Sequence, residues 1–244
     1  MKNIQKTIYE QRSLNNYTEN MVINVSDKRI NLMRRYLDAL LENRKNKLKI
    51  LDVGCADGVI FKDYTPKADF YGIDIAEPLL KKAQKNGYKT FLLDIEQQKL
   101  PFKNEFFDVI IAGEMIEHVV NTDWFMCEIN RVLKKNGYLI ISIPNINQWI
   151  SLFMMIFFDL PPRYSARFRA PHVRDFTFKT MKGCLKEFGF EIKKRSGTGI
   201  FLPFINKNIF VFLTNLFPRL GSEVVFLCKK INNVVYDEKK IFKF

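Results

Sequence analysis

Histidine is nearly absent from this 244-residue chain, which has two, and its four cysteines (Cys55, Cys127, Cys184 and Cys228) stand far apart with no CxxC pair. A disulfide framework and a cysteine-based zinc site are therefore not expected, and a reduced, cytoplasmic setting is. No apolar h-region occurs in the opening MKNIQKTIYEQRSLNNYTEN, so no signal peptide is expected. Long hydrophobic runs are also missing. The longest is WISLFMMIFF, Trp149 to Phe158, whereas a spanning helix needs roughly 20 residues. A second apolar region, Gly199 to Phe217, is interrupted by Pro203 and Lys207. Neither crosses a membrane on this reading, but both suit a membrane surface. Internal repeats, low-complexity linkers and long blocks of one charge are absent as well.

What is present is an ordinary globular composition, 47% hydrophobic and 27% charged, with disorder expected only at the ends. The length allows one large α/β domain or two small ones, and is enough for a substantial core. Charge is unevenly spread. Residues 1–46 carry +4, residues 47–144 carry −1, and residues 145–244 carry +10 of the total +13. A neutral middle with basic flanks fits an anionic partner held by the flanks; a solvated basic surface fits equally well.

The element pattern is alternating. SDKRINLMRRYLDALLENRK, from Ser26, has helical apolar spacing behind Ser26 as an N-cap. Strands are expected at 48–54, 69–74, 88–94, 107–113 and 138–144. Between them, EPLLKKAQKNG and TDWFMCEINRVLKKNG read as helices, each stopped at Asn-Gly. TFKTMKGCLKEFG reads as a later helix, and FEIKKR and SEVVFLCKK complete seven strands, with an irregular Phe-rich insertion between those two. The expected fold is α/β, a seven-stranded, mostly parallel Rossmann-like sheet with helices on both faces. A helical cap over 1–46 precedes the main domain, 47–244, whose variable segments at about 145–176 and 199–220 are expected to face the substrate.

ILDVGCADG, Ile50 to Gly58, reads as a strand entering a glycine turn and then a helix. Glycines there let backbone approach a ligand. The positions do not match GxGxxG, which disfavours a pyrophosphate cradle. Asp74 closes the second strand, where a carboxylate can take both ribose hydroxyls, and Asp94 closes the third, placed to accept from an adenine amino group. Each alone is a common strand-end residue; together they mark the ligand-binding edge of an open sheet.

ILDVGCADG, FYGIDIAEPLLKKA, LLDIEQQKLPFKNEFFDVIIAGEMIEHV and RVLKKNGYLIISIPN resemble successive motifs of the class I S-adenosylmethionine-dependent methyltransferases. The likeness runs from Leu48 to Asn145 and resumes at His172 to Phe190; Ala56 departs from the usual glycine. It implies S-adenosylmethionine as cofactor, with Asp52, Gly54, Cys55 and Gly58 around the methionine end. Asp74 and Ile75 would then hold the ribose and flank adenine, Asp94 and Ile95 would meet adenine, and Glu114 would touch the cofactor. The Asn/Asp-Pro-Pro-aromatic motif of amide and adenine N-methyltransferases is missing, which disfavours those acceptors.

GEMIEHVV, Gly113 to Val120, places Glu114, Glu117 and His118 directly after a buried apolar run. In the family this point faces the donor methyl. His118, with Glu117 and the second histidine, His172, forms the candidate catalytic group, since imidazole suits removal of a hydroxyl proton near neutral pH. The same pattern is similar to ubiquinone-pathway O-methyltransferases and to small-RNA terminal 2′-O-methyltransferases. That resemblance implies a divalent metal on Glu114, Glu117, His118 and His172. Metal site, metal-free base and purely structural cluster all stand open. Trp149, Phe153 and Phe157 fit core or lid better than a ligand platform. Arg163, Arg167, Arg169 and Arg174 form a basic string that suits either a phosphate grip or a solvated face.

The expected function is O-methylation of a small or a lipid- or glycan-linked metabolite, the acceptor being anionic or membrane-associated. One alternative is an RNA 2′-O-methyltransferase with a divalent metal, although no RNA-binding module is recognisable. The other is a basic membrane-docking protein with a vestigial cofactor pocket, against which the intact Asp52, Asp74 and Asp94 argue.

Overall fold

The computed structural model describes residues 27–42, 44–147, 149–158, 172–199 and 211–237. Helix α1, Lys28–Leu41, starts at Asp27, whose carboxylate accepts from the Arg29 amide at 2.8 Å. The cap is thus Asp27; Ser26, the expected cap, lies outside the described residues. Its apolar stripe, including Met33, Tyr36, Leu37 and Leu40, packs on one face of the sheet against Ile50, Val109, Ile111, Ile140 and Val225. The opposite face is covered by α3, Thr122–Val132, and α5, Phe178–Glu187, through Phe125, Ile129, Met181 and Leu185.

The strands are β1, Lys49–Val53; β2, Asp69–Asp74; β3, Lys89–Leu92; β4, Phe107–Gly113; β5, Leu133–Pro144; β6, Phe190–Gly197; and β7, Glu223–Lys230. They form one sheet ordered β3-β2-β1-β4-β5-β7-β6. The first five pair in parallel, and β7 runs antiparallel to both neighbours. Strand order reverses between β1 and β4, so the crevice beyond their carboxyl ends is where an open α/β sheet binds ligands. The other helices among the described residues are α2, Glu77–Lys85, α4, Trp149–Phe158, and α6, Val211–Leu216.

Three local expectations are corrected. The glycine turn after β1 does not lead into an α-helix. Gly54, Ala56 and Gly58 all have positive φ, which breaks helical geometry, and only one 3-10 turn, Lys62–Tyr64, forms before β2. Asn136-Gly137 does not stop α3. That helix ends at Val132, and β5 begins at once. Asn136 takes a left-handed φ of 64° within a register shift between Phe107 and Val109. The insertion after β6 is also partly regular, with α6 and a 3-10 turn at Pro218–Leu220.

Candidate functional site

The glycine turn is built on what lies beneath it. A side chain at Gly58 would strike the Tyr88 ring at 2.8 Å, and one at Gly72 would strike the Cys55 sulfur at 2.6 Å. Cys55 is therefore packed downward, and burial pushes its thiol well above the ordinary range, leaving an inert, protonated thiol. Asp52 is also buried and accepts a hydrogen bond from the Tyr88 hydroxyl at 3.2 Å. Burial pushes its carboxyl up to about 7, the Tyr88 bond opposing and Asp74 adding to the rise. Sequence reasoning did not find Tyr88, because a tyrosine at a strand start carries no motif.

Asp74, at the end of β2, reaches across to that turn. One carboxylate oxygen accepts from the Ala56 amide and the other from the Ala76 amide, both at 2.9 Å. Burial raises its pKa, while the amides of Ala76, Ala56 and Ile75 oppose the shift. Ala56 holds a left-handed φ of 48°, which disfavours a side chain and gives the physical reason for glycine being more usual there. Asp94 lies two residues beyond β3, in a turn where its carboxylate accepts from the Glu96 amide at 3.1 Å. Ile95 is buried in the core beside it, and Ile75 is half-buried.

The third wall is the end of β4. Glu114 is left-handed, with φ 53°, and its amide donates to the Ser142 hydroxyl at 3.1 Å. Such backbone in a non-glycine residue costs about 1–3 kcal/mol and is typical of functional turns. The next residues form a single 3-10 turn, Ile116–His118, with Met115 set against Gly54. Glu117 is 1% exposed. Its carbonyl accepts from the amides of Val173 at 2.9 Å and Arg174 at 3.2 Å, which brings His172 to the turn. The rings of His118 and His172 meet edge to face with centroids 4.7 Å apart. One ligand atom from each of Glu117, His118 and His172 lies within 4.8 Å of the others. Glu114, expected in the same ligand set, lies outside that cluster. Phe153 and Phe157 are exposed and so do not belong to a core. Arg174 is exposed too; Arg163, Arg167 and Arg169 lie outside the described residues.

Arg29 is a further residue the sequence did not single out. Its guanidinium lies 3.3 Å from where a side chain at Gly113 would begin. Its side chain is 15% exposed and approaches Asp27 only at 4.0 Å. Its Nε is buried with no hydrogen-bond partner among the described residues. A cation so placed, at the mouth of the β1–β4 crevice, favours an anionic group there.

Residues 51–141 match the family described as "Methyltransferase domain". The chain is 31% identical over 134 residues to a malonyl-[acyl-carrier protein] O-methyltransferase of Legionella pneumophila, covering 52% of this chain and 44% of that relative. It is 34% identical over 119 residues to a ubiquinone biosynthesis O-methyltransferase of Rickettsia prowazekii, covering 47% of each. The matched part thus spans less than half the length of either relative. Among solved structures, a methyltransferase of Thermotoga maritima, described as a possible histamine N-methyltransferase, superposes with a TM-score of 0.63. It is 20% identical, over 92% of this chain and 99% of that one, which establishes the shared fold.

Proposed function

We propose, for a chain whose residues 51–141 match a methyltransferase domain, that it is a class I S-adenosylmethionine-dependent methyltransferase that methylates a hydroxyl group held against Glu117, His118 and His172. One observation carries the reading: two histidines remote in sequence are the only two in the chain, and their rings touch beside a buried glutamate at the end of β4. The residues at the crevice support S-adenosylmethionine as the cofactor. Gly54, exposed at the end of β1, would let backbone approach the methionine end, Asp74 at the end of β2 would take the ribose, and Asp94 and Ile75 would meet adenine.

When bound, S-adenosylmethionine supplies an electrophilic methyl on a sulfonium, and transfer to the acceptor oxygen leaves a neutral thioether. The residues of the chain position the acceptor and take its proton. His118 or His172, as neutral imidazole, accepts the hydroxyl proton as the new C–O bond forms. Most of the rate comes from holding that oxygen in line with the methyl. The O-methyltransferase relatives and the absence of the amide-type motif support a hydroxyl acceptor, and the basic C-terminal part supports one that carries negative charge or is lipid- or glycan-linked.

A second reading is favoured by the clustering of Glu117, His118 and His172 within 4.8 Å. This mixed oxygen and nitrogen set suits Mg, Mn, Fe or Zn, which would lower the acceptor pKa in place of a free base.

The test is calorimetric binding of S-adenosylhomocysteine together with transfer of labelled methyl into hydroxylated lipid and glycan fractions. Asp74→Ala is expected to abolish cofactor binding; unchanged binding would sink the cofactor assignment. His118→Ala is expected to keep binding and lose about 10²–10⁴-fold in transfer. Activity lost to a chelator and restored by one divalent ion decides for the metal reading.

A further inference from the structure

Two apolar helices hang from one point at the carboxyl edge of the sheet. Asn145 follows β5 directly. Its amide donates to Ser222, and its side-chain nitrogen donates to the carbonyls of Arg219 at 2.8 Å and Gly221 at 2.9 Å. The next amide, Ile146, donates to Phe176 at 3.1 Å. Helix α4 therefore leaves, and the chain returns through His172, on the side where the candidate site lies. The stretch that ends in α6 and its 3-10 turn is pinned to the same asparagine.

On both stretches, large apolar side chains among the described residues stand exposed. On α4, Ile156 is 74% exposed, Phe157 67%, and Phe158 is exposed as well; on the other stretch Leu216 and Phe217 are exposed. The rim of the site also carries exposed apolar residues. Val120, two residues after His118, and Val173, next to His172, are both exposed. Isolated exposed apolar residues are ordinary, but a run of large ones on one side of a molecule marks an interaction surface. Helix α4, WISLFMMIFF, is apolar around its whole circumference, so no face of it is suited to water. About 15 Å long at 1.5 Å per residue, it is half the thickness of a bilayer core. No helix among the described residues is long and apolar enough to cross one. Such a helix lies along an interface.

Charge selects the kind of interface. The sequence after α4 carries Arg163, Arg167, Arg169 and Arg174, and residues 145–244 hold +10 of the chain's +13. Arginines flanking an apolar helix match a layer of lipid phosphates.

We propose that this face docks on a bilayer containing anionic lipid, with α4 and the α6 stretch seated among the headgroups and the His118–His172 mouth turned toward the lipid. That the acceptor is lipid-anchored rests on the methyl-transfer reading above; the docking does not.

The test is flotation of the full chain with vesicles of phosphatidylcholine alone or with phosphatidylglycerol added, compared with an Ile156→Glu, Phe157→Glu double variant. The wild type is expected to float with the anionic vesicles and about tenfold less with phosphatidylcholine alone or in high salt. The variant is expected to lose at least about tenfold in partition while binding S-adenosylhomocysteine as the wild type does, which shows that it is folded. Equal flotation of variant and wild type overturns the proposal. So does a wild-type dimer, seen by sedimentation, that the double variant dissociates, because a second copy would then be what covers the face. Wild-type flotation without S-adenosylhomocysteine binding upholds the docking and removes the methyl-transfer reading alone.

Discussion

Single residues at this crevice hold states that water would not favour. Asp52 keeps its proton up to about pH 7 in the folded chain, against about 4 when unfolded. Between those values the folded form binds more protons, so its stability falls as pH rises through that window, and the penalty is complete above it. Asp52→Asn removes the charge. Its melting temperature, measured without cofactor, is expected to gain on the wild type between pH 5 and pH 8; parallel profiles would count against a buried acid. Arg29 is the opposite case, a largely buried cation whose ion pair with Asp27 is long, at 4.0 Å. Its position at Gly113 suits the carboxylate of the cofactor's methionine end. Arg29→Met is expected to weaken S-adenosylhomocysteine about tenfold and to leave its decarboxylated analogue unaffected. Equal loss for both would make the role structural.

Elements reach the site through a few buried polar tethers, and these were the least legible part of the sequence. The strands were readable because apolar runs bounded by glycine and aspartate repeat along the chain, and all seven appear in the sheet. The pairing of Glu117 and His118 with His172 was visible as residue types. Their meeting depends on the Val173 and Arg174 amides bonding the Glu117 carbonyl, which no periodicity encodes. Arg29 was hidden because an arginine in the first turn of a helix reads as a solvated charge. The missing helix after β1 has the same origin, since Ala56 at φ 48° is a demand of tertiary structure on a residue that prefers helix. Asn145 shows what one tether is worth. It is 1% exposed, and replacing it by alanine leaves the carbonyls of Arg219 and Gly221 without their donor. Asn145→Ala is expected to cost about 2 kcal/mol, read as a lower urea midpoint at unchanged slope. No change in midpoint would show that water replaces the side chain.

At the scale of the whole molecule, the parallel half, β1 to β5 with its connections, carries every candidate cofactor residue except Arg29 of α1, and the antiparallel β7 with β6 carries none. The second half instead builds the surface around the mouth: α4, the return through His172, and the stretch ending at Gly221. The "Methyltransferase domain" likeness, residues 51–141, falls within β1 to β5. Charge and, among the described residues, exposed large apolar side chains are concentrated after β5.

The position of β7 has a consequence for biosynthesis. It sits between β5 and β6, yet it is made after both. While the ribosome is still producing residues 198–222, β6 has no partner strand in the sheet, and β5 presents an unpaired backbone edge. Closure must wait for Glu223–Lys230 to slide into a gap already flanked by synthesised chain. The nascent protein thus carries an unsealed, sticky edge through much of its emergence, and a chaperone that shields such edges would have its binding window there.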